Sequence, residues 1–254
     1  MKPGLPSIIF EEIRSDIING AYPIGSKLPP ERELSQKYKA GRFAVREAIA
    51  MLVQNGFVET LPQSGTYIRD FYRDGSLDTL VQTLRIRRAI DRQTLDSLLK
   101  FRYQTETIAA AEAAALITDK DLAYLEGKLK LKADNADNIL LLAECDYDIH
   151  FKVVTLSGNV ISRLIFQSFR PIYAFFTEYF YSLAGAADKS LHLNRELLKA
   201  LRKRDRGASQ QAMAAILKYG EKKVYEAIDD NEALIIIPQR YQQEIMPVRV
   251  KRIT

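Results

Sequence analysis

The first part of the chain carries short helical patterns separated by glycine and proline, and this order restricts the fold more than any other feature. Isoleucines at helical spacing predict a helix over residues 7–19, which an Asn-Gly pair ends. Two further helices are predicted over 31–38 and 42–54, each set off by turn-forming residues. Residues 57–60 and 66–69 predict two short strands around the loop Leu-Pro-Gln-Ser-Gly. Three helices followed by a hairpin is the order of a winged helix-turn-helix domain.

The rest of the chain has a different pattern, because from residue 77 onwards helical stretches follow one another without a convincing alternating segment. The predicted fold class is therefore mainly α, with an N-terminal winged helix-turn-helix and a C-terminal all-α antiparallel bundle. The predicted domains are 1–70 for the winged helix, 71–77 for a linker and 78–230 for the bundle, and the tail 231–254 is left unassigned. Seven helices are predicted in the bundle, over 78–90, 92–117, 119–133, 138–157, 160–183, 188–204 and 207–228, with Pro171 kinking the fifth.

Composition excludes several classes of protein. A chain of 254 residues suits two domains, and a hydrophobic content of 47% provides for a core. No stretch approaches the roughly 18 apolar residues of a membrane span, so no membrane partner is expected. The lone Cys145 cannot form an internal disulfide, which favours the cytoplasm. The net charge of +5 is compatible with nucleic-acid binding, but residues 1–70 hold nine Lys/Arg against eight Asp/Glu, so bulk charge does not locate the binding surface.

Clustered arginines indicate which helix would read DNA. Arg42 and Arg46 lie one turn apart at the start of the third helix, and Arg32 begins the preceding one. Arginine reads guanine through two parallel hydrogen bonds and also neutralises phosphate. Ser64 and Thr66 lie near the tip of the hairpin, where their hydroxyls would reach phosphates or a minor groove. The alternative is an ordinary solvated face, which is the commoner meaning of such cations on an isolated helix.

The motifs of this half resemble those of the GntR family of regulators. The residues that carry the resemblance are Leu28-Pro-Pro-Glu-Arg-Glu-Leu-Ser, Arg42-Phe-Ala-Val-Arg-Glu-Ala-Ile, Asn55-Gly-Phe-Val and Gly65-Thr-Tyr-Ile. The resemblance implies that DNA is contacted by Arg32, Arg42, Phe43, Arg46 and the wing residues Gln63, Ser64, Gly65 and Thr66. Two positions depart from the family pattern. Gly41 replaces the usual serine or threonine and offers no hydroxyl, and Phe43 stands where relatives often have a polar residue, where it would meet a thymine methyl.

In the helical half, two pairs of polar residues have the spacing of one helical turn. Arg102 and Glu106 share a helix face, and so do Asp146 and His150. An Asp and a His four residues apart can supply two ligands to one metal, although a helix-surface pair is the commoner outcome on spacing alone. An enzyme is not expected, because no nucleophile–base pair, phosphate-binding glycine loop or complete metal set is apparent in the sequence.

These pairs, with Ser157-Gly-Asn159, resemble the ligand-binding FCD domain of the FadR-type branch of that family. The resemblance implies a helical bundle in which many members hold a divalent metal with an aspartate and three histidines, beside a carboxylate effector. Asp146 and His150 match the first two ligands, whereas the third histidine falls on Asn194 and the fourth on Ile216. His192 is two residues out of register. The predicted metal site, Asp146 with His150, is therefore incomplete, and no cofactor is firmly expected.

The sequence thus predicts a ligand-responsive transcription regulator, a repressor that binds a palindromic operator in double-stranded DNA as a homodimer. The expected effector is a small organic acid or an acyl-CoA, since details of the bundle resemble fatty-acyl-CoA-responsive members of the branch. The predicted effector-binding residues are Arg102, Glu106, Asp146, His150, Tyr173 and Asn194. Three alternatives stay open here: a regulator that senses carboxylate through a metal on Asp146 and His150, a DNA-binding scaffold without an effector, and an enzyme.

Overall fold

A computed structural model describes residues 3–87, 89–228 and 234–236. Within these residues the chain forms two compact units. The first comprises 3–87, and the second comprises 89–228 together with 234–236.

The first unit has the predicted order of three helices and a hairpin, followed by a fourth helix. Its elements are α1 (Leu5–Ile18), α2 (Glu31–Lys37), α3 (Arg42–Gln54), β1 (Val58–Leu61), β2 (Gly65–Ile68) and α4 (Leu77–Arg87). The two strands pair antiparallel, with Val58 opposite Ile68 and Leu61 opposite Gly65. The prediction of a winged helix-turn-helix is confirmed, with each strand displaced by one residue.

The apolar face of each helix makes the core of this unit. Ile13 from α1, Leu34 from α2 and Leu52 from α3 are fully buried together with Phe57, which leads into β1. Each helix therefore turns a stripe of apolar side chains inwards, as the helical spacing requires. The opposite face of α3 stays in solvent and is available to a partner.

Helix α4 belongs with the first unit. The sequence predicted a linker at 71–77 and assigned the following helix to the bundle, but α4 contacts α1, and Thr79 Oγ1 donates to the carbonyl of Asn55 at 3.0 Å. The division between units therefore falls after residue 87. The helical pattern was correctly read, but periodicity alone does not say which unit a helix packs against.

The second unit is a helical bundle, as predicted. Its elements are β3 (Ala89–Asp91), α5 (Arg92–Leu116), α6 (Asp119–Asp134), α7 (Ile139–Leu156), α8 (Val160–Ser168), α9 (Arg170–Ser182), α10 (Ala186–Arg202), α11 (Arg206–Ala227) and β4 (Leu234–Ile236). None of the helices in the described part of the chain is long and apolar enough to cross a membrane.

Seven helices lie in the described part of this unit, but they are not the seven that the sequence predicted. The stretch 160–183 divides into α8 and α9 after Phe169, because Pro171 in the first turn of α9 has no N–H to continue the preceding helix. The predicted helix 78–90 ends at Arg87, and Ala89–Asp91 instead pairs antiparallel with Leu234–Ile236. A three-residue strand whose partner is distant in sequence leaves no alternating pattern to recognise.

Small residues bring the central helices of the bundle together. Ala109, Ala110, Ala113 and Ala114 of α5 are buried, and α5 packs extensively against α11 and α7. Because the alanine side chain is small, neighbouring helix backbones can approach closely at these positions. The long α5 therefore forms the centre of the unit and places its own polar side chains inside it.

Candidate functional site

Helix α3 separates an apolar inner face from a cationic outer one. Val45, Ala48 and Leu52 are buried, whereas Arg42 and Arg46 are exposed on the opposite side. Arg32 is also exposed, near the start of α2. The predicted DNA-reading arginines of α3 thus lie on the solvent face of one helix, where base edges and phosphates are within reach of such side chains.

Arg46 is held by a partner that the sequence analysis missed. Its Nε donates to Glu31 Oε1 at 3.0 Å and its Nη2 donates to Glu31 Oε2 at 2.9 Å. The hydrogen bond from Arg46 lowers the pKa of the Glu31 carboxyl. A bidentate pair fixes the plane of a guanidinium. The acidic residues at the start of α2 and the arginines of α3 are a signal for such a pair, but the sequence does not give the angle between the helices, on which the pairing depends.

Phe43 is the most exposed large apolar residue in the described part of the chain, at 77% of its surface. It lies between Arg42 and Arg46 on the cationic side of α3. Exposing a phenyl ring to water has a cost, which a partner that covers the ring would recover.

The tip of the hairpin adopts a backbone that favours glycine. Gln63 has φ 59° and Gly65 has φ 132°, both in the left-handed half of the map. A Cβ at Gly65 would also lie 2.3 Å from the Cε of Lys27. The backbone angle therefore favours glycine at position 65, whereas the exposed end of the Lys27 side chain can move aside.

The two wing hydroxyls already have partners within the hairpin. Ser64 Oγ lies 2.8 Å from Tyr67 Oη, and Thr66 Oγ1 lies 3.1 Å from Thr60 Oγ1. Because a hydroxyl both donates and accepts, each keeps hydrogen-bonding capacity for a phosphate. The predicted wing residues thus occupy one exposed edge of the first unit.

The second candidate site is a group of polar side chains enclosed by the bundle, here called the buried polar cluster. Its members come from α5, α6, α7, α9 and α10, and each is less than a tenth exposed. They are Arg102, Glu106, Lys132, Asp146, His150, Tyr173, Tyr181, Ser190 and Asn194.

Glu106 connects the arginine and the histidine of the cluster. Arg102 Nε donates to Glu106 Oε1 at 2.8 Å, and His150 Nδ1 is hydrogen-bonded to the other carboxylate oxygen. Burial by itself would raise the pKa of the Glu106 carboxyl, but Arg102 and His150 outweigh it, and the pKa is lowered. Glu106 is therefore an anion inside the bundle, and its acceptor role places the proton of His150 on Nδ1.

Asp146 holds the other half of the cluster. Its Oδ1 accepts from Lys132 Nζ at 2.9 Å and from Tyr181 Oη at 2.7 Å, while its Oδ2 accepts from Tyr173 Oη at 3.1 Å. Tyr173 Oη in turn accepts from Arg102 Nη2 at 3.0 Å and so links the two halves. Burial opposes ionisation of Asp146, but Lys132 and His150 overcome it, and the pKa of the carboxyl is lowered.

The structure thus brings the predicted effector-binding residues together. The three residues at or near the positions of the missing histidine ligands differ in where they lie. Asn194 is a buried member of the cluster, and its Nδ2 donates to the carbonyl of Ser190 at 3.0 Å. His192 is exposed and does not reach the cluster. Ile216 is buried and supplies only hydrocarbon.

A cavity opens beside the cluster. About 540 Å³ of space that no atom of the chain occupies lies within the cavity and its mouth, open solvent included. Its polar lining includes Arg102, Asp146 and His150, and its apolar lining includes Phe176 and Ile216. A few convergent polar groups on an apolar wall are typical of small-molecule sites.

Two buried acceptors near the cavity lack a hydrogen-bond partner in the described residues. They are His150 Nε2, which is an acceptor when Nδ1 alone carries the proton, and Asn194 Oδ1. Unsatisfied buried polar atoms are uncommon in folded proteins and cost stability. A ligand or water that donates to them would recover that cost.

Sequence analysis missed Lys132, Tyr181 and Ser190. Lys132 follows Leu125 and Leu129 on the inner face of α6 at helical spacing, and a lysine at that position of an apolar face was the available signal. No comparable signal marks the tyrosine or the serine, because both occupy positions that an aromatic or small core residue would also fill.

Comparison with known proteins follows the same division into two parts. Residues 7–68 match the family described as bacterial regulatory proteins of the gntR family, and residues 97–219 match the FCD domain. The HTH-type transcriptional regulator Mce2R of Mycobacterium tuberculosis is 31% identical over 169 residues, which cover 66% of this chain and 70% of that protein. The fatty acid metabolism regulator protein of Klebsiella pneumoniae is 29% identical over 210 residues, covering 83% of this chain and 85% of that protein.

Solved structures show the same fold. Escherichia coli McbR/YncC has a TM-score of 0.50 at 18% identity, and it covers 90% of this chain and 100% of its own. Lar, which controls the expression of the Listeria monocytogenes agr system, has a TM-score of 0.57 at 15% identity with the same coverage. These relatives are regulators rather than enzymes.

Proposed function

The chain belongs to the GntR family of bacterial transcription regulators and carries an FCD domain, and from that premise we propose that it is a repressor released from its operator by an anionic effector. As a DNA-binding regulator it acts in the cytoplasm, where Cys145 stays reduced. The observation that carries the proposal is the buried polar cluster with its adjoining cavity.

The cluster supports ligand binding because it is expensive to keep inside a bundle. Replacing buried ion pairs by well-packed apolar residues is often neutral or stabilising, so charge in a core is weak support for stability alone. Here Arg102 and Asp146 both line a cavity, and the acceptor His150 Nε2 is left without a partner in the described residues. Binding of a ligand with complementary charge would explain why these buried charged and polar side chains are present.

The chemistry of the lining favours an organic acid that also carries a hydrogen-bond donor. The guanidinium of Arg102 has five N–H donors, of which the bonds to Glu106 and Tyr173 use two, so donors remain for a carboxylate or phosphate. When His150 carries a proton on Nδ1 alone, its Nε2 and Asn194 Oδ1 would accept from a hydroxyl or amide of the same ligand.

The lining of the cavity favours a small acid over a whole acyl-CoA. An acyl-CoA would have to displace aromatic side chains of α9, such as Phe176 and Phe180. The existence of relatives that regulate fatty acid metabolism supports keeping the thioester as the second candidate effector.

Response to the ligand requires two states that differ in DNA affinity. We propose a two-fold dimer that holds two α3 helices at the spacing of a palindromic operator. A ligand that binds better to a state with a different spacing shifts the population away from DNA, by no more than its difference in affinity for the two states.

The test combines effector binding with DNA release. The operator is first selected from random duplex DNA with the full chain, and thermal shift and DNA release are then measured with small hydroxy acids, fatty acids and acyl-CoAs. Arg102→Gln is expected to abolish both responses to the active compound, whereas Arg195→Gln, at an exposed site on α10, is expected to keep them. Sequence-selective DNA binding that no compound alters would contradict the proposed sensing and leave only a DNA-binding scaffold.

A further inference from the structure

We propose that Lys132 is the counter-ion of Asp146 in the buried polar cluster and provides there the positive charge that a divalent metal supplies elsewhere, so that this site works without a metal. The inference goes beyond the proposed function, because it concerns the source of the positive charge in the site and not the identity of the effector. It stands on the contacts of one ammonium group.

All three N–H donors of the Lys132 ammonium have acceptors within the cluster. Its side chain is 0% exposed, and Nζ lies 2.9 Å from Asp146 Oδ1, 2.7 Å from Tyr181 Oη and 3.2 Å from Ser190 Oγ. An ammonium has three N–H donors, and these three oxygens provide one acceptor for each. Lysine is almost never buried without such partners, because desolvation of its charge must be offset.

The same hydrogen bonds occupy the carboxylate oxygens that a metal ion would need as ligands. Oδ1 of Asp146 accepts from Lys132 and Tyr181, and Oδ2 accepts from Tyr173. The Glu106 carboxylate is likewise taken up by hydrogen bonds to Arg102 and His150.

One pair of atoms does retain a distance compatible with a shared metal. His150 Nε2 lies 3.7 Å from Asp146 Oδ2, and Nε2 has no other partner in the described residues. Two such ligands leave most of a coordination shell to water. In the described part of the chain, no group of three or more His, Cys, Asp or Glu side chains is arranged to hold a metal. Asn194 and Ile216 do not complete the set, since the amide is a weak ligand and the isoleucine is none.

Charge balance explains why the lysine would exclude a metal rather than accompany it. Arg102 and Lys132 offset Glu106 and Asp146, so the cluster is neutral when the histidine is neutral. A divalent ion at Asp146 would add two positive charges close to a buried ammonium, in surroundings that screen charge poorly. Removing the lysine leaves the Asp146 carboxylate without its counter-ion. The carboxylate and the lone pair of a neutral His150 could then supply two ligands to a metal.

The experiment measures metal binding directly. The untagged full chain is dialysed against zinc, manganese and nickel at buffer concentrations and its metal content is determined, then zinc and manganese affinities are measured by calorimetry. The wild type is expected to carry far less than one equivalent. Lys132→Met is expected to bind zinc or manganese at least about tenfold more tightly, a gain that His150→Ala removes again.

Two controls make the result specific. Lys130→Met removes an exposed lysine from the same helix and is expected to leave metal affinity unchanged. Lys132→Arg keeps the positive charge and is expected to show no gain. Should Lys132→Met fail to fold, Lys132→Gln removes the charge while keeping a hydrogen bond to Asp146.

The proposal is overturned by either of two outcomes. One is a wild type that holds about one equivalent of metal and loses it in His150→Ala. The other is a folded charge-removing variant at position 132 that binds metal no more tightly than the wild type. Neither measurement uses DNA or an effector, so a failure of the proposed sensing function would leave this result standing.

Discussion

Individual side chains in the buried polar cluster are coupled, so each is stable only while its partners are present. Asp146 receives hydrogen bonds from three side chains, and Tyr173 joins the arginine side to the aspartate side. Breaking one buried ion pair leaves a charge that water does not reach, which costs more than the pair contributes. The cluster therefore predicts large effects from small changes.

Asp146→Asn is expected to lower the free energy of unfolding by about 3–5 kcal/mol, because it leaves the Lys132 ammonium buried without a counter-ion. Asp148→Asn is the matched control, since Asp148 lies two residues after Asp146 on α7 and pairs with Lys128 of α6 at a partly exposed position. It is expected to cost at most about 1 kcal/mol. Urea unfolding of the full chain measures both, and equal losses in the two variants would refute the coupling.

Phe43 is expected to read a thymine methyl in the operator. Its ring is 77% exposed between the arginines of α3, and apolar contact with the C5-methyl group is the means by which such a side chain distinguishes thymine. Replacing one operator thymine by uracil should weaken binding of the wild type but not of Phe43→Ala. Electrophoretic mobility assays with each operator thymine replaced in turn test this. If no replacement distinguishes the two proteins, Phe43 has another role.

At the scale of elements, α3 and the hairpin each have one face for the core and one for a partner. The helix buries Val45, Ala48 and Leu52 and exposes its arginines, so its outer residues can change without loss of the core. The hairpin is short and depends on its turn, where the backbone itself restricts the residues allowed. Substitutions in the two elements should therefore separate DNA binding from folding.

Arg42→Ala and Arg46→Ala are each expected to weaken operator binding by about tenfold or more at matched salt, through loss of a base or phosphate contact. Because both side chains are exposed, the unfolding temperature should hardly change. Arg92→Ala, at a half-exposed site in the other unit, is the control for a general loss of positive charge. Wild-type affinity in both α3 variants would show that this helix does not read DNA.

Gly65→Ala is expected to destabilise the first unit by about 1–3 kcal/mol and to weaken DNA binding. The cost comes from strain at φ 132°, because the end of the Lys27 side chain, whose Cε would lie 2.3 Å from the added methyl group, can shift. Gly41→Ala has an ordinary φ and open space around it, so only the poorer N-cap of α3 should count there, at a cost of at most about 1 kcal/mol. Thermal unfolding compares the two, and a neutral Gly65→Ala would mean that the turn adjusts.

At the scale of the whole molecule, the second unit places ionised carboxylates in its interior, and this makes its stability depend on pH. The pKa of both Glu106 and Asp146 is lowered in the folded state despite burial, because positively charged partners outweigh desolvation. A group with a lowered pKa binds fewer protons folded than unfolded, so stability rises with pH across that interval.

The contribution of these two carboxylates to the stability of the second unit is therefore expected to be fully present above the unfolded carboxyl pKa of about 4 and to be lost as the pH falls below it. Circular dichroism melts between about pH 2 and pH 7 measure this dependence. The doubly neutral variant Glu106→Gln with Asp146→Asn should be less stable near neutral pH and should lose less on acidification than the wild type. An equally steep acid dependence in that variant would place the responsible carboxyls elsewhere.

Local patterns in the sequence were enough to predict the winged helix and the helical character of the bundle, and together with the family resemblance they predicted six of the polar residues inside it. Helical spacing is a local property, and turn residues such as Gly65 act through their own backbone angles, so both can be read along the chain. The pairs Arg102 with Glu106 and Asp146 with His150 were visible for the same reason, because residues four apart share a helix face.

Tertiary structure alone decided what these residues touch. Lys132 reaches Asp146 from a different helix, and Glu31 reaches Arg46 in the same way, so neither pair has a fixed spacing in sequence. The packing of α4 onto α1 and the pairing of β3 with β4 were hidden for the same reason. Contacts between elements depend on packing angles that no short stretch encodes, and the charge of the buried polar cluster is set by those contacts.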